Sequence, residues 1–213
     1  MADITPDQST TSKRTAVKSW LGSGSINLFG RPLSGKDTQA RLLAEWLGAH
    51  IISGGAILRN SPIPEHVQAL LDKGELAPTA DYLGIVTPYL QRQEFVGSPL
   101  VLSMVGRWHG EEAVIVEACK QAEHEQRAVV LIEVSEDTVL QRHRQLQQRQ
   151  DRIGRRDDTL EALRIRLREY ENKSVPVIDF YREQGLLITV NGEQSEEHIA
   201  ADILEGLYQK ASN

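Results

Sequence analysis

The chain has 213 residues, a formal net charge of −6 and 40% hydrophobic residues, a length that suits one α/β core with small inserted lobes and not two full domains. Its longest apolar runs, such as Ala128-Val129-Val130-Leu131-Ile132, fall far short of the roughly 20 residues of a membrane span. The acidic balance argues against a general nucleic-acid-binding surface, and a single cysteine, Cys119, excludes an internal disulfide and a cysteine-rich zinc site.

The N-terminus, residues 1 to 14, is polar and has no apolar stretch of the kind a secretory leader needs, so a cytoplasmic protein is expected. Residues 1–24 read as an extension, flexible to about residue 15, with a short helix over Ala16–Leu21 that ends at Gly22-Ser23-Gly24-Ser25. The core domain spans 25–210. Five short apolar segments in it read as buried strands: Ile26–Phe29, His50–Ser53, Leu100–Met104, Ala128–Val134 and Leu186–Val190. Helical stripes over Thr38–Leu47, Glu112–Ala122 and Glu161–Tyr170 alternate with them. Ser135 and Ser195, each followed by acidic residues, read as N-caps of two further helices, the first running through Arg142. The alternation predicts an α/β three-layer fold with a five-stranded parallel sheet flanked by helices. Two intervals exceed simple crossovers, 54–95 and 143–156, and insertions at the carboxyl ends of parallel strands border the ligand crevice.

Between the first strand and its helix stands Gly30-Arg31-Pro32-Leu33-Ser34-Gly35-Lys36-Asp37-Thr38. A G-x4-G-K sequence in that setting turns successive backbone N–H groups toward phosphate oxygens. The helix N-terminus adds partial positive charge and Lys36 a full one. The alternative is a glycine-containing turn with a surface lysine. The strict motif continues with Ser or Thr, whereas this chain has Asp37 there and a hydroxyl only at Thr38. Many arginines fall between Arg142 and Arg168, which suits either a polyphosphate or a solvated helix face with Glu161 and Glu169 interspersed.

From about Ile26 to Leu207 the chain resembles the adenylate kinase and nucleoside monophosphate kinase family. The family's G-x-P-G-x-G-K-G-T-Q is matched by Gly30 to Gln39, and its I-S-x-G-D-x-L-R by Ile52-Ser53-Gly54-Gly55-Ala56-Ile57-Leu58-Arg59. Gly74-Glu75-Leu76-Ala77 stands for G-K-L-V, and Ser103-Met104-Val105-Gly106-Arg107 partly keeps D-G-F-P-R. Arg155-Arg156-Asp157-Asp158 and Arg166-Leu167-Arg168-Glu169-Tyr170 match R-x-D-D and R-L-x-x-Y.

The resemblance implies a P-loop kinase that passes the γ-phosphoryl of ATP to a nucleoside monophosphate with Mg as cofactor; a monomer with no nucleic-acid or membrane partner is expected. Positioning and positive charge carry such a transfer. It implies ATP binding by Gly30, Arg31, Pro32, Leu33, Ser34, Gly35, Lys36, Asp37, Thr38 and Arg142. The monophosphate falls to Ser53, Gly54, Arg59, Arg107, Glu111, Arg155 and Arg166, in a lobe over 54–95. Lys36, Arg107, Arg142, Arg155 and Arg166 are the implied catalytic groups, because a planar guanidinium stays charged and binds two phosphate oxygens at once. The lid over 143–156 lacks the four-ligand zinc pattern of some relatives. Its second arginine is replaced by Leu146, with Arg144 or Arg149 as substitutes.

Aspartates that help hold hydrated magnesium in the family correspond to Ala56 and Ser103, and both are missing. Asp37 is therefore the candidate magnesium-positioning residue. Glu111 stands where adenylate-type enzymes place a base-reading glutamine, and a carboxylate only accepts hydrogen bonds. AMP is the first acceptor to consider, with CMP, UMP, GMP and deoxynucleotides open. Trp108 suits base stacking or half-buried packing, and His109 takes no assigned role. A nucleotide-sensing module without turnover and a P-loop kinase acting on an alcohol are the other readings. The latter would need a general base in place of Arg59 and Arg107.

Overall fold

In the computed structural model, residues 8–212 are described apart from 61, 74, 76 and 150–158. The central strand, β1 (Ser25–Gly30), is buried along its whole length, and side-chain alternation splits its apolar load between two layers. Ile26 and Leu28 face one core cluster while Phe29 faces another.

The helix α1 (Gln8–Leu21) precedes it; α2 (Lys36–Leu47), β2 (His50–Ser53), α3 (Gly54–Asn60), α4 (Glu65–Asp72) and α5 (Thr79–Leu90) follow. A 3-10 turn (Gln93–Phe95) leads to β3 (Leu100–Ser103), α6 (Glu111–Gln121), β4 (Gln126–Glu133) and α7 (Glu136–Arg149). Then come α8 (Leu160–Glu169), a π turn (Tyr170–Ser174), α9 (Val175–Glu183), β5 (Leu187–Asn191) and α10 (Glu196–Ser212). The strands lie in the order β2-β3-β1-β4-β5, all parallel. The five strands expected from the sequence are all present, and the fold is the three-layer α/β sheet of P-loop proteins.

One layer buries Leu43 and Leu47 of α2, Ile203 and Leu207 of α10, and Val17 and Leu21 of α1 against the sheet. The other carries α5, α6 and α9, with Val86, Ile115, Val177 and Tyr181 fully buried. β1 and β3 are adjacent and in register, Ile26 opposite Val101 and Leu28 opposite Ser103. Their carboxyl ends therefore open side by side into the same crevice.

Three local readings differ from or extend the sequence-based expectation. The N-terminal helix starts at Gln8, so residues 8–15 are not flexible chain but helix. A helix of 14 residues is marginal alone; docking of Val17 and Leu21 holds it, at about 1.5–3 kcal/mol for each buried side chain. The Lys13–Glu205 ion pair, 2.7 Å, lies at the surface and adds little beside that burial. Helix α7 runs through Arg142, as expected, and on to Arg149, so the first half of the expected lid interval is regular helix. Finally, α9 occupies residues 175–183, an interval to which no element is assigned from the sequence. The caps behave as expected: the Ser135 and Ser195 hydroxyls accept from the Thr138 and His198 N–H groups at 3.2 and 3.3 Å.

Candidate active site

The phosphate loop leaves β1 at Gly30, where a Cβ would lie 2.5 Å from Ser34 Oγ and 2.7 Å from the Ile132 carbonyl. Only glycine permits that approach. Ser34 is fully buried and donates its N–H to the Arg31 carbonyl at 3.1 Å, which closes the turn, while its hydroxyl finds no partner in the protein. Leu33 has φ 61° and Gly35 φ 96°. A left-handed leucine costs roughly 1–2 kcal/mol. It persists because the side chain packs against Val134, Val139, Leu163 and Leu167. Gly35 then opens α2 with Lys36 and Asp37 in its first turn, where backbone N–H groups lack carbonyl partners within the helix.

The loop is fastened on both sides. Arg31 turns away from the crevice: its Nε and Nη2 donate to Glu171 Oε1 at 2.9 and 2.7 Å and its Nη1 donates to the Val134 carbonyl. Its place in the phosphate-binding set is therefore through backbone geometry, since its charge is committed to the π turn. Arg142 on α7 donates to the carbonyls of Leu33, 2.9 Å, and Gly192, 2.6 Å, so it ties the phosphate loop to the β5–α10 connection. Gln39, 1% exposed, donates to the Glu196 carbonyl at 2.9 Å and does the same from beneath.

Beside it, the β3–α6 loop (104–110) is organised from within. Met104 has φ 53° and Gly106 φ 68°. Asn27 Nδ2 donates to the Val105 carbonyl at 2.7 Å, and the Gly106 N–H donates to the Tyr82 hydroxyl at 3.0 Å. Trp108 N–H donates to Glu111 Oε2 at 3.0 Å, and Gly110 N–H to Glu112 Oε2 at 2.6 Å. Glu111 is only 2% exposed, and burial pushes its carboxyl up to about 7 against the pull of the Trp108 N–H and the Arg107 charge. Burial likewise lowers the pKa of the half-buried Arg107 guanidinium, opposed by Tyr82, Glu111 and Glu169. Tyr82, also buried, closes the lobe side: a Cβ on Gly54 would stand 2.7 Å from its hydroxyl. Trp108 is half-buried with the Lys173 ammonium 4.0 Å from its ring centroid, so packing and cation–π contact occupy it.

Between the two loops runs a cleft of about 370 Å³. Lys36, Arg107, Arg142 and Arg166, taken from four different elements, all line it, together with Asp37, Thr38, Ser53 and Ser103. Gly54, the first residue of α3, is not itself in the lining, although its neighbours Ser53 and Gly55 are. On the cleft floor Ser103 Oγ donates to Asp37 Oδ1 at 2.9 Å. The carboxylate that enters at 37 and the hydroxyl that stands at 103 are thus in direct contact. Arg155 and the side chains of Ala56, Arg59 and Arg149 lie outside the described residues. Leu146 lines the cleft where a second lid arginine was sought.

Sequence reasoning missed Tyr82, Gln145 and Gln194, the last two also in the cleft wall. Tyr82 sits inside an apolar helix pattern that says core, and nothing local marks its hydroxyl as a loop anchor. Gln39 was legible only as the last letter of the loop motif.

A phosphate loop at the carboxyl edge of a parallel sheet, facing a cationic cleft, defines the class of P-loop nucleotide kinases. The adenylate kinase family model matches residues 28–186. The chain is 33% identical to adenylate kinase 1 of Nostoc sp. over 180 residues, which are 82% of this chain and 94% of the relative. It is 32% identical to an adenylate kinase of Cyanothece sp. over 181 residues, 83% and 91% of the two chains, and 31% identical to one of Leptospira biflexa over 184 residues, 84% and 97%. The chain belongs to the adenylate kinase family and is a nucleoside monophosphate kinase.

Proposed function

We propose that the protein transfers the γ-phosphoryl group of ATP to AMP, giving two ADP. The observation that carries this reading is the convergence of Lys36, Arg107, Arg142 and Arg166 on one cleft beside the phosphate loop. In-line transfer between two phosphates needs no general base; it needs positive charge placed where the equatorial oxygens develop theirs. Lys36 and the α2 N-terminus take the donor's outer phosphates. Arg107, held by the β3–α6 loop, takes the acceptor phosphate and Arg166 the transferred group; the family motifs assign Arg59 and Arg155, whose side chains lie outside the described residues, to the same two tasks. Arg142, with two of its donors on backbone carbonyls, flanks the donor site and fixes its wall. Glu111, buried beneath the β3–α6 loop with Oε2 accepting from the Trp108 N–H, is assigned to the acceptor side through its place in the loop and not through the cleft lining.

The donor set fits magnesium. Among the described residues the cleft lining includes the carboxylate residues Asp37 and Glu196; Asp37 is the one in contact with the Ser103 hydroxyl, and this ion is usually held by one or two carboxylates plus substrate phosphates and water. When bound it neutralises and orients the polyphosphate. The 54–95 lobe and the interval 143–156 are the segments that close over the substrates. Monomeric action in the cytoplasm completes the reading. No helix among the described residues is long and apolar enough to cross a membrane.

A panel of AMP, CMP, UMP, GMP, dAMP and small alcohols, each with ATP and magnesium, tests the proposal. AMP turnover at least tenfold above the others is expected. Turnover of an alcohol, or ATP binding without any turnover, would refute it.

A further inference from the structure

Arg166 reaches the cleft from α8, so its position is only as sharp as the seating of that helix. The apolar face of α8 is narrow: Ala162, Leu163 and Leu167 are its buried residues, and the two leucines, one turn apart, meet Val134 and Val139 in a small cluster. Leu33 of the phosphate loop packs against the same cluster. One turn further on, Glu171 accepts from Arg31 Nε and Nη2 at 2.9 and 2.7 Å, while Arg31 Nη1 donates to the carbonyl of Val134, itself in the cluster. Contacts at 163, 167 and 171 recur every four residues, the spacing of one helix face, and Arg166 stands within their span. The fourth letter of the loop motif is glycine in the family and Leu33 here, at φ 61°. Glycine takes that conformation without strain and leucine does not. A glycine would keep the turn, but it has no side chain with which to touch α8.

We propose that Leu33 and Arg31 brace α8 against the phosphate loop and are positioning residues for Arg166, so that the group in transfer meets a guanidinium already registered to the donor phosphates. The inference rests on the phosphoryl-transfer reading above and adds which residues of this chain set where Arg166 stands. The Leu33 carbonyl accepts from Arg142 Nη1 at 2.9 Å, so the same residue ties both arginine-bearing helices, α7 and α8, to the loop. A misplacement of about 1 Å costs on the order of 10²-fold in rate, and a slackened helix contact should cost about tenfold.

Steady-state kinetics of the full chain with ATP, AMP and magnesium test it, beside titration calorimetry with ATP and magnesium. Leu33→Gly should lower kcat about tenfold and leave the ATP dissociation constant within about twofold of wild type, because the loop keeps its turn and loses only its hold on α8. Leu33→Met, close to leucine in volume, should keep kcat within about threefold. Glu171→Gln should lower kcat about threefold by loosening Arg31. In an Arg166→Met background neither Leu33→Gly nor Glu171→Gln should lower kcat further, the non-additivity expected of residues that act through the missing arginine. Melting temperatures show which variants are folded, and Glu171→Gln, a surface change, carries the test even where Leu33→Gly does not fold. An unchanged kcat in folded Leu33→Gly or in Glu171→Gln, or an equal further loss in the Arg166→Met background, overturns the brace and leaves the transfer reading intact. Weaker ATP binding at unchanged kcat in Leu33→Gly overturns it too, since Leu33 would then serve the donor site alone. A wild type without turnover removes the transfer reading and the inference together.

Discussion

The phosphate loop and the β3–α6 loop leave adjacent, in-register strands, and each turns through a bulky residue at positive φ, Leu33 at 61° and Met104 at 53°. Each also delivers one cation to the cleft, Lys36 and Arg107. They differ in what becomes of their backbone N–H groups. The β3–α6 loop spends those of Gly106, Trp108 and Gly110 on Tyr82, Glu111 and Glu112. The phosphate loop instead opens at once into the N-terminus of α2, whose first N–H groups have no carbonyl to reach within the helix. One loop is built to give its backbone to an anion; the other consumes its backbone to aim a single side chain.

That contrast is open to test at its largest effects first. Lys36→Met should lower kcat by about 10²–10³-fold with little change in melting temperature, because it removes charge from the transferring group and not from the core. Arg107→Lys should lower kcat/KM for the acceptor by about 10–100-fold and leave the ATP dissociation constant unchanged, since a point charge cannot replace the fork. Loss of ATP affinity in the second variant would break the division of labour between the loops.

A pH-dependent effect separates the loops next. Burial raises the Glu111 carboxyl to about 7 from an ordinary value near 4.5. The folded state then holds a proton that the unfolded state has lost, so stability from this group falls as pH rises from about 4.5 to 7 and stays low above. Glu111→Gln should accordingly stabilise the protein at pH 8, on the order of 2–3 kcal/mol, and have little effect at pH 4, as urea unfolding at the two pH values will show. Smaller still is the backbone strain. Leu33→Gly should be about 1 kcal/mol more stable than Leu33→Ala, the reverse of the usual order, because both lose the same packing while glycine alone relieves the positive φ.

The smallest effect concerns Glu193, which accepts from the Ser135 hydroxyl, the Ser135 N–H and the Thr138 hydroxyl. The Ser135 hydroxyl first, then the Ser135 N–H and the Thr138 hydroxyl, hold its carboxyl down to about 2. Its contribution is complete above the ordinary carboxylate range and is lost as pH falls toward 2. The melting temperature of Glu193→Gln should lie below wild type at pH 7 and converge with it in acid.

The strands were legible because each is a short apolar run, and the phosphate loop because glycines and a lysine stand at fixed spacing before a helical stripe. Helix α1 was read too short: its buried face holds little beyond Val17 and Leu21, with Trp20 partly buried, and it exists because α10 receives it. The cationic cleft was legible as a set of arginines only through the wider resemblance, since charge alone does not separate Arg142 in the cleft from Arg168 outside it. Arg31 shows the limit of reading a motif letter by letter. It belongs to the loop in sequence, yet its guanidinium serves Glu171. The Asp37–Ser103 contact joins positions 66 apart in the chain, and no local pattern in the sequence announces it.

The central claim is that this cleft moves phosphoryl groups between nucleotides. Its most direct test follows ATP and AMP with magnesium to ADP by 31P NMR, for wild type and Lys36→Met side by side. Two ADP formed for each ATP consumed by the wild type, and about a hundredfold or greater loss in the variant, are the expected results. ATP and AMP left unchanged by a wild type that binds both, or ADP formed equally fast by Lys36→Met, would contradict the account.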